Sequence, residues 1–397
     1  MQADRRPRGQ GAAVSEVRSF EIAVPDAVLD DLRVRLDRTR PARGGLAGWS
    51  AGTDPGYLAS FVASWAGAYQ WRDTESVLND VPQLLVNVAG TDIHVFHVRA
   101  RTPPAAGVPL PLVLTHGWPS SFFEFLPVIG PLTDPLAYGA DSADAFDVVI
   151  PSLPGFGFSG PLPAGQNHPA RVADLWAGLM DQLGYQRFGA YGGDIGSHVT
   201  NFLGARHPDR LIGMFTHHPQ LHPRLEGGRA LSAAEQRYLR QRAARTDHDD
   251  SYAATQSARP NSLAPGLADS PAGLAAWILD KYQDWSDSHG DLESAIDRRT
   301  LLNIVTLYWV TNSIGTSFLH YGDDAQTPPL GPVTVPAGLT LTPEDAGYPR
   351  EFAERTYADI RLWRGPEPGG HFLALEQPAR LARDLRDFYR PLRATHE

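Results

Sequence analysis

The chain has no cysteine, only three methionines, and a single lysine, Lys281. Without cysteine it forms no disulfide, thiolate metal site, iron–sulfur cluster or cysteine nucleophile. It has no G-x-S-x-G, which argues against an ordinary serine esterase, and no H-E-x-x-H, the usual signature of a catalytic zinc site. His217, His218 and His222 follow an apolar run and read as a solvated loop, so no metal and no cofactor is expected. Positive charge is in deficit, 35 basic residues against 45 acidic for a formal net charge of −10. That balance argues against nucleic acid or an anionic membrane as partner. No apolar run approaches the length that crosses a bilayer, and the basic opening residues lead into no apolar stretch of a secretory signal. The expectation is a soluble, cytoplasmic protein without membrane association.

What is present is a 397-residue chain with 42% hydrophobic and 10% aromatic residues, enough for a substantial core. Residues 1–82 read as an opening unit. Phe20–Pro25 alternates like a strand, and helical spacing follows at Val28, Leu29, Leu32 and Leu36 and again over Tyr57–Trp71. From Gln83 the texture changes. Leu84–Val88 and Ile93–Val98 alternate as a hairpin around residues 89–92. Leu110–Thr115, Phe146–Ile150, Phe188–Tyr191 and Leu211–Thr216 are apolar runs of the kind found in strands buried on both faces. Helical patterns between them predict an α/β fold with a mostly parallel sheet. Residues 226–330 break this rhythm with helical patterns only and read as a helical cap inserted between core segments 83–225 and 331–397. Strand character returns at Val333–Leu341 and Asp359–Trp363, and a final helix fits Ala379–Tyr389.

Three motifs carry chemistry. Gly192-Gly-Asp194-Ile195-Gly196 lies between a strand and a helix and has the form of a nucleophile elbow, with aspartate in the nucleophile slot. A carboxylate there can attack an electrophilic carbon and form an ester. His116-Gly-Trp118-Pro follows the strand 110–115, where a glycine turn can aim a backbone N–H into the site. The amides of Trp118 and Ile195 are therefore the candidate oxyanion hole, and His116 reads as structural. Gly369-Gly-His371-Phe follows the last strand, and the order nucleophile, acid, histidine makes His371 the candidate base. The acid is Glu344 or Asp345, which the local pattern does not separate. Gly155, Gly157 and Gly160 match a dinucleotide fingerprint. Prolines 161 and 163 prevent the helix such a fingerprint must open, so the segment reads as a loop lining the site.

Taken together, His116-Gly-Trp-Pro, Gly155-Phe-Gly-Phe-Ser, Gly192-Gly-Asp-Ile-Gly and Gly370-His-Phe resemble the epoxide hydrolases of the α/β-hydrolase superfamily. Phe20-Glu-Ile-Ala-Val-Pro and Leu32-x-x-Arg35-Leu36 resemble the N-terminal domain of the microsomal and juvenile-hormone branch. The resemblance spans roughly residues 18–393. It implies two cap tyrosines that hold the epoxide oxygen: Tyr252, in a segment running to Pro260, and Tyr321, with Tyr308 more a core residue. It also favours Asp345 as the acid, because Val335-Pro-Ala-Gly aligns without a gap to a strand that ends there. Ile195 departs from the usual tryptophan, and the membrane-anchoring helix of the microsomal enzymes is missing. Similar enzymes occur in actinobacterial natural-product pathways, including enediyne biosynthesis, and the arginine-rich composition fits that setting.

The resemblance thus implies a cofactor-free hydrolase that turns a small-molecule epoxide into a vicinal diol through an ester on Asp194. A haloalkane or haloacid dehalogenase would use the same Asp/His/acid set with a halide leaving group. A binding protein on an inactive hydrolase fold would lack one of the three. Trp277, Trp285 and Trp309 read as packing residues.

Overall fold

The computed structural model describes residues 17–101, 107–219, 230–244 and 250–393. Nine strands form one sheet: β1 Val17–Ser19, β2 Gln83–Val88, β3 Thr91–Val98, β4 Leu110–Thr115, β5 Phe146–Pro151, β6 Phe188–Gly192, β7 Leu211–Thr216, β8 Val333–Thr340 and β9 Tyr357–Arg364. Their spatial order is β1-β2-β3-β5-β4-β6-β7-β8-β9. The first four in that order pair antiparallel, and β5 onward is parallel. Every residue of β5, β6 and β7 is buried, which explains why these strands read as continuous apolar runs rather than alternating ones. Helices cover them, among them Pro169–Gln182, Ile195–Arg206 and Pro378–Arg393. The β2–β3 hairpin turns on Ala89 and Gly90, both at positive φ as a tight two-residue turn requires, so Thr91 and Asp92 belong to the strand.

The opening segment differs from the strand expected at Phe20–Pro25. Only Val17–Ser19 pairs with β2. Beyond it, side chains of a helix at Trp71–Asn79 satisfy the backbone: Asn79 bonds both the N–H and the C=O of Ile22, and Glu75 accepts from the Val24 N–H at 2.7 Å. Ile22 and Val24 are buried, so the alternation was real but served packing without a strand partner.

Between β7 and β8 the described residues form helices and no strand. The longest are Ala233–Ala244, Pro271–Trp285 and Arg298–Val310. They lie over the carboxyl ends of the parallel strands, where an open α/β sheet offers a crevice. The register aligns those ends. Thr115 of β4 pairs with Gly192 of β6, Gly192 with Thr216 of β7, and Thr216 with Leu339 of β8. The loops after four strands therefore meet at one place. Among the described residues no helix is long and apolar enough to cross a membrane.

Candidate active site

Asp194 follows β6 at φ 53° and ψ −127°, a backbone conformation that costs an ordinary residue energy and that tight packing must hold. The packing here has no slack. A Cβ on Gly196 would overlap the Thr115 carbonyl oxygen, and one on Gly117 would overlap the Asp194 side chain. Gly196 beside the elbow and Gly117 facing it are thus dictated by the approach of β4 and its loop to the β6 turn, while Gly193 is dictated by the His217 ring.

The Asp194 carboxylate accepts the Trp118 N–H at 2.9 Å through Oδ1, and it also accepts the Ile195 N–H. His371 Nε2 lies 3.5 Å from the other oxygen, Oδ2. Burial works to raise the Asp194 carboxyl. The His371 ring and the two amides outweigh it and hold the carboxyl below its usual range. Burial likewise works to lower His371, but the Asp194 carboxylate outweighs it and holds the imidazole above its usual value. Each group thus favours the charged form of the other: a carboxylate beside an imidazole that holds a proton more readily than usual.

The loop carrying His371 is fixed at several points. Its N–H donates to the Trp285 carbonyl at 2.9 Å, and its carbonyl accepts from His217 at 2.9 Å. Glu376 accepts the N–H groups of Gly370 and Phe372, on either side of the histidine, and that of Asp287 in the cap.

The two candidate acids are placed differently. Asp345 is buried and accepts from the Thr342 N–H and hydroxyl, at 3.0 and 3.2 Å. Burial pushes its carboxyl up to about 7, with the His371 charge among the groups opposing the rise. No hydrogen bond joins it to His371. Glu344 offers a carboxylate oxygen to a cluster with one ring nitrogen each of His218 and His371, all within 4.8 Å of one another.

A cavity of about 660 Å³ opens over Asp194, lined also by Tyr252, Trp285, Tyr321 and His371. The Tyr252 and Tyr321 rings stand 5.8 Å apart, and Tyr252 stacks on Trp118 at 5.3 Å. Burial, with the Asp194 charge behind it, raises both phenols, so they are neutral donors.

The structure thus brings Asp194, His371, Tyr252, Tyr321 and the amides of Trp118 and Ile195 together. His116 has both ring nitrogens engaged by backbone, with the Gly117 carbonyl and the Leu153 N–H, and is structural as expected. Tyr308 donates to the Ser120 carbonyl in the core. The segment from Gly155 to Gly160 is a turn, with no helix.

Two expectations are corrected. His217 is buried and His218 is largely so, not in a solvated loop, because the register of β7 with β6 carries them under the elbow. His222 lies outside the described residues. Trp285 does more than pack: it lines the cavity, 5.1 Å from the Tyr252 ring and 4.8 Å from that of His371. The sequence reading also passed over Lys281, whose ammonium lies 5.4 Å from the centre of the Tyr252 ring.

Comparison with known proteins identifies the family. The family described as epoxide hydrolase N terminus matches residues 17–125, and the alpha/beta hydrolase fold family matches residues 111–278. A protein named "Putative epoxide hydrolase" from Stigmatella aurantiaca is 42% identical over 379 residues, covering 94% of this chain and 85% of the relative. Juvenile hormone epoxide hydrolase 2 of Ctenocephalides felis is 31% identical, covering 94% of this chain and 85% of the relative. Among solved structures, juvenile hormone epoxide hydrolase from the silkworm Bombyx mori superposes with a TM-score of 0.86 at 27% identity, covering 96% of both chains.

Proposed function

The chain belongs to the epoxide hydrolases of the α/β-hydrolase fold, enzymes that hydrolyse an ether bond, and from that premise we propose which of its residues carry the reaction and what it takes as substrate. The observation that carries the reading is one carboxylate, Asp194, held by two backbone amides, with two phenols lining the same cavity.

In the first half-reaction Tyr252 and Tyr321 hydrogen-bond the oxirane oxygen. Asp194 Oδ2 attacks a ring carbon, the carbon–oxygen bond breaks, and a tyrosine gives its proton to the departing alkoxide. The product is a hydroxy-ester of Asp194. Esterification removes the negative charge that raises His371, so burial then favours the neutral imidazole that the next step uses as its base. In the second half-reaction His371 takes a proton from water and the hydroxide attacks Cγ of Asp194. The oxyanion rests on the Trp118 and Ile195 amides that hold the carboxylate beforehand. Collapse releases the diol, whose oxygen takes the proton from His371. The restored carboxylic acid ionises, and its proton returns to the tyrosinate.

Asp345 is the acid assigned to orient His371, supported by its burial near the ring. Glu344 is the second candidate, supported by its place within 4.8 Å of the ring nitrogens. The substrate is a small-molecule epoxide. A cavity of about 660 Å³ is in the range that holds drug-sized ligands, so a natural-product epoxide fits this reading as well as a simple aryl epoxide.

The test is turnover of styrene oxide by wild type and Asp194→Ala, with halide release from a haloalkane followed in parallel. Diol formation that disappears in the variant, with no halide released, is expected. Diol formation surviving in the variant overturns the nucleophile assignment, and halide release without diol moves the enzyme to dehalogenation.

A further inference from the structure

The reaction as derived leaves one histidine of the site idle. His218 Nδ1 accepts the backbone N–H of Asp194 at 2.7 Å. A neutral imidazole has one donor and one acceptor nitrogen, so that bond fixes the ring proton on Nε2. Burial, with the neighbouring histidines, holds His218 well below the usual histidine range and so keeps it neutral. The Nε2–H is buried and donates to no protein group among the described residues. A buried donor without a partner costs free energy unless a bound molecule accepts from it.

The placement of His218 says what that molecule is. Its ring centre lies 4.4 Å from that of His371, and it lines the cavity with Asp194 and Glu344. One ring nitrogen each of His218 and His371 and one oxygen of Glu344 lie within 4.8 Å of one another. Three atoms so spaced all lie within about 2.8 Å of a common point, inside hydrogen-bond reach. A metal ion is ruled out by the tautomer, because ligation needs the lone pair of a nitrogen that here carries a proton. The site calls for a small group that accepts one hydrogen bond and donates two.

We infer that His218 holds the hydrolytic water, its Nε2–H donating to the water oxygen beside His371. The inference rests on the ester reading above. One water hydrogen goes to His371 as the attacking proton, and the other points to the Glu344 carboxylate. One lone pair accepts from His218, and the second attacks Cγ of Asp194. No proton leaves His218. Because this water takes part only in the second half-reaction, His218 acts on ester hydrolysis and not on ester formation.

The test separates the two steps by rapid quench with styrene oxide and by intact mass of the protein. His218→Phe removes donor and acceptor together. His218→Asn keeps an acceptor for the Asp194 amide but is too short to reach the water. His218→Gln supplies an amide that can do both. In the Phe and Asn variants ester hydrolysis is expected to slow by about 10- to 100-fold, with ester formation within a few-fold of wild type and the ester mass accumulating. Gln should recover much of the loss. Equal slowing of both steps in the Asn variant would make His218 a mere prop of the elbow, and wild-type hydrolysis in that variant would overturn the inference outright. His371→Gln serves as the control. If it traps no ester, the covalent reading itself fails; if it traps ester while the His218 variants hydrolyse normally, only the water assignment fails.

Discussion

Asp194 and His371 set each other's protonation, and this pairing fixes the pH behaviour of the two steps. The carboxyl is held below its usual range, so ester formation should persist into acid. Hydrolysis needs a neutral His371 and an ionised Asp345, whose carboxyl is pushed up to about 7. As pH falls through that value Asp345 takes up a proton and the second step fails. At about pH 5 the ester should therefore accumulate on mixing with substrate, and turnover should recover as pH rises past neutrality. The check is intact mass against pH alongside kcat; a kcat that is flat across this window would sink the assignment. The two acids are separated by the same readout. Asp345→Asn should lower ester hydrolysis by 100-fold or more, on the order of the loss seen when a triad acid is amidated, while Glu344→Gln costs about 10-fold. The reverse order would move the triad acid to Glu344. What the sequence left open here was geometry. Glu344 and Asp345 are adjacent in the chain, and only the Thr342 contacts of one and the histidine neighbours of the other tell them apart.

At the scale of elements, the site is a consequence of strand register. β4, β6 and β7 end side by side, and each contributes its next few residues: the Trp118 amide, Asp194, and the His217–His218 pair. The elbow and the glycine loops were legible in the sequence because steric demand leaves glycine no substitute there. The buried parallel strands were legible because both faces are covered. The role of His217 and His218 was not, since a polar pair after a strand looks the same whether it meets solvent or the underside of an elbow. Trp285 was unreadable for a similar reason, as an aromatic on a helix can pack or line a cavity. The loop after β9 needs its own restraint, and Glu376 supplies it by gathering the amides of Asp287, Gly370 and Phe372. Glu376→Gln turns one acceptor into a donor facing those amides. It should destabilise the fold by about 1–3 kcal/mol and slow ester hydrolysis more than ester formation, read from a denaturant melt and single-turnover rates. Wild-type values in both would show that the loop holds itself.

The molecule as a whole is braced from its amino-terminal end. β1 extends the core sheet, while the helices Asp26–Asp37 and Pro55–Gly67 lie against the cap. Arg35 reaches the Asp269 carbonyl and carboxylate, Thr53 donates to the Ala276 carbonyl, and Arg298 donates to Ser60 and Ser64. The opening unit thus spans core and cap, and the cap carries Tyr252 and Tyr321. A further tie is Asn303, whose carbonyl accepts from both the Tyr69 hydroxyl at 3.0 Å and the Thr74 hydroxyl at 2.8 Å. The same helix, Arg298–Val310, anchors the Trp118 loop through the bond from Tyr308 to Ser120. Asn303→Ala strands two donors at the seam, at about 1–3 kcal/mol each if neither finds water. A looser cap should misplace the tyrosines before it disturbs the histidine loop, which is tied down by core residues as well. Ester formation is therefore expected to slow more than ester hydrolysis, with the denaturant midpoint falling at the same time. A lowered midpoint with both steps at wild-type rates would mean that the opening unit stabilises the fold without positioning the phenols, and an unchanged midpoint would mean that it braces nothing at this seam.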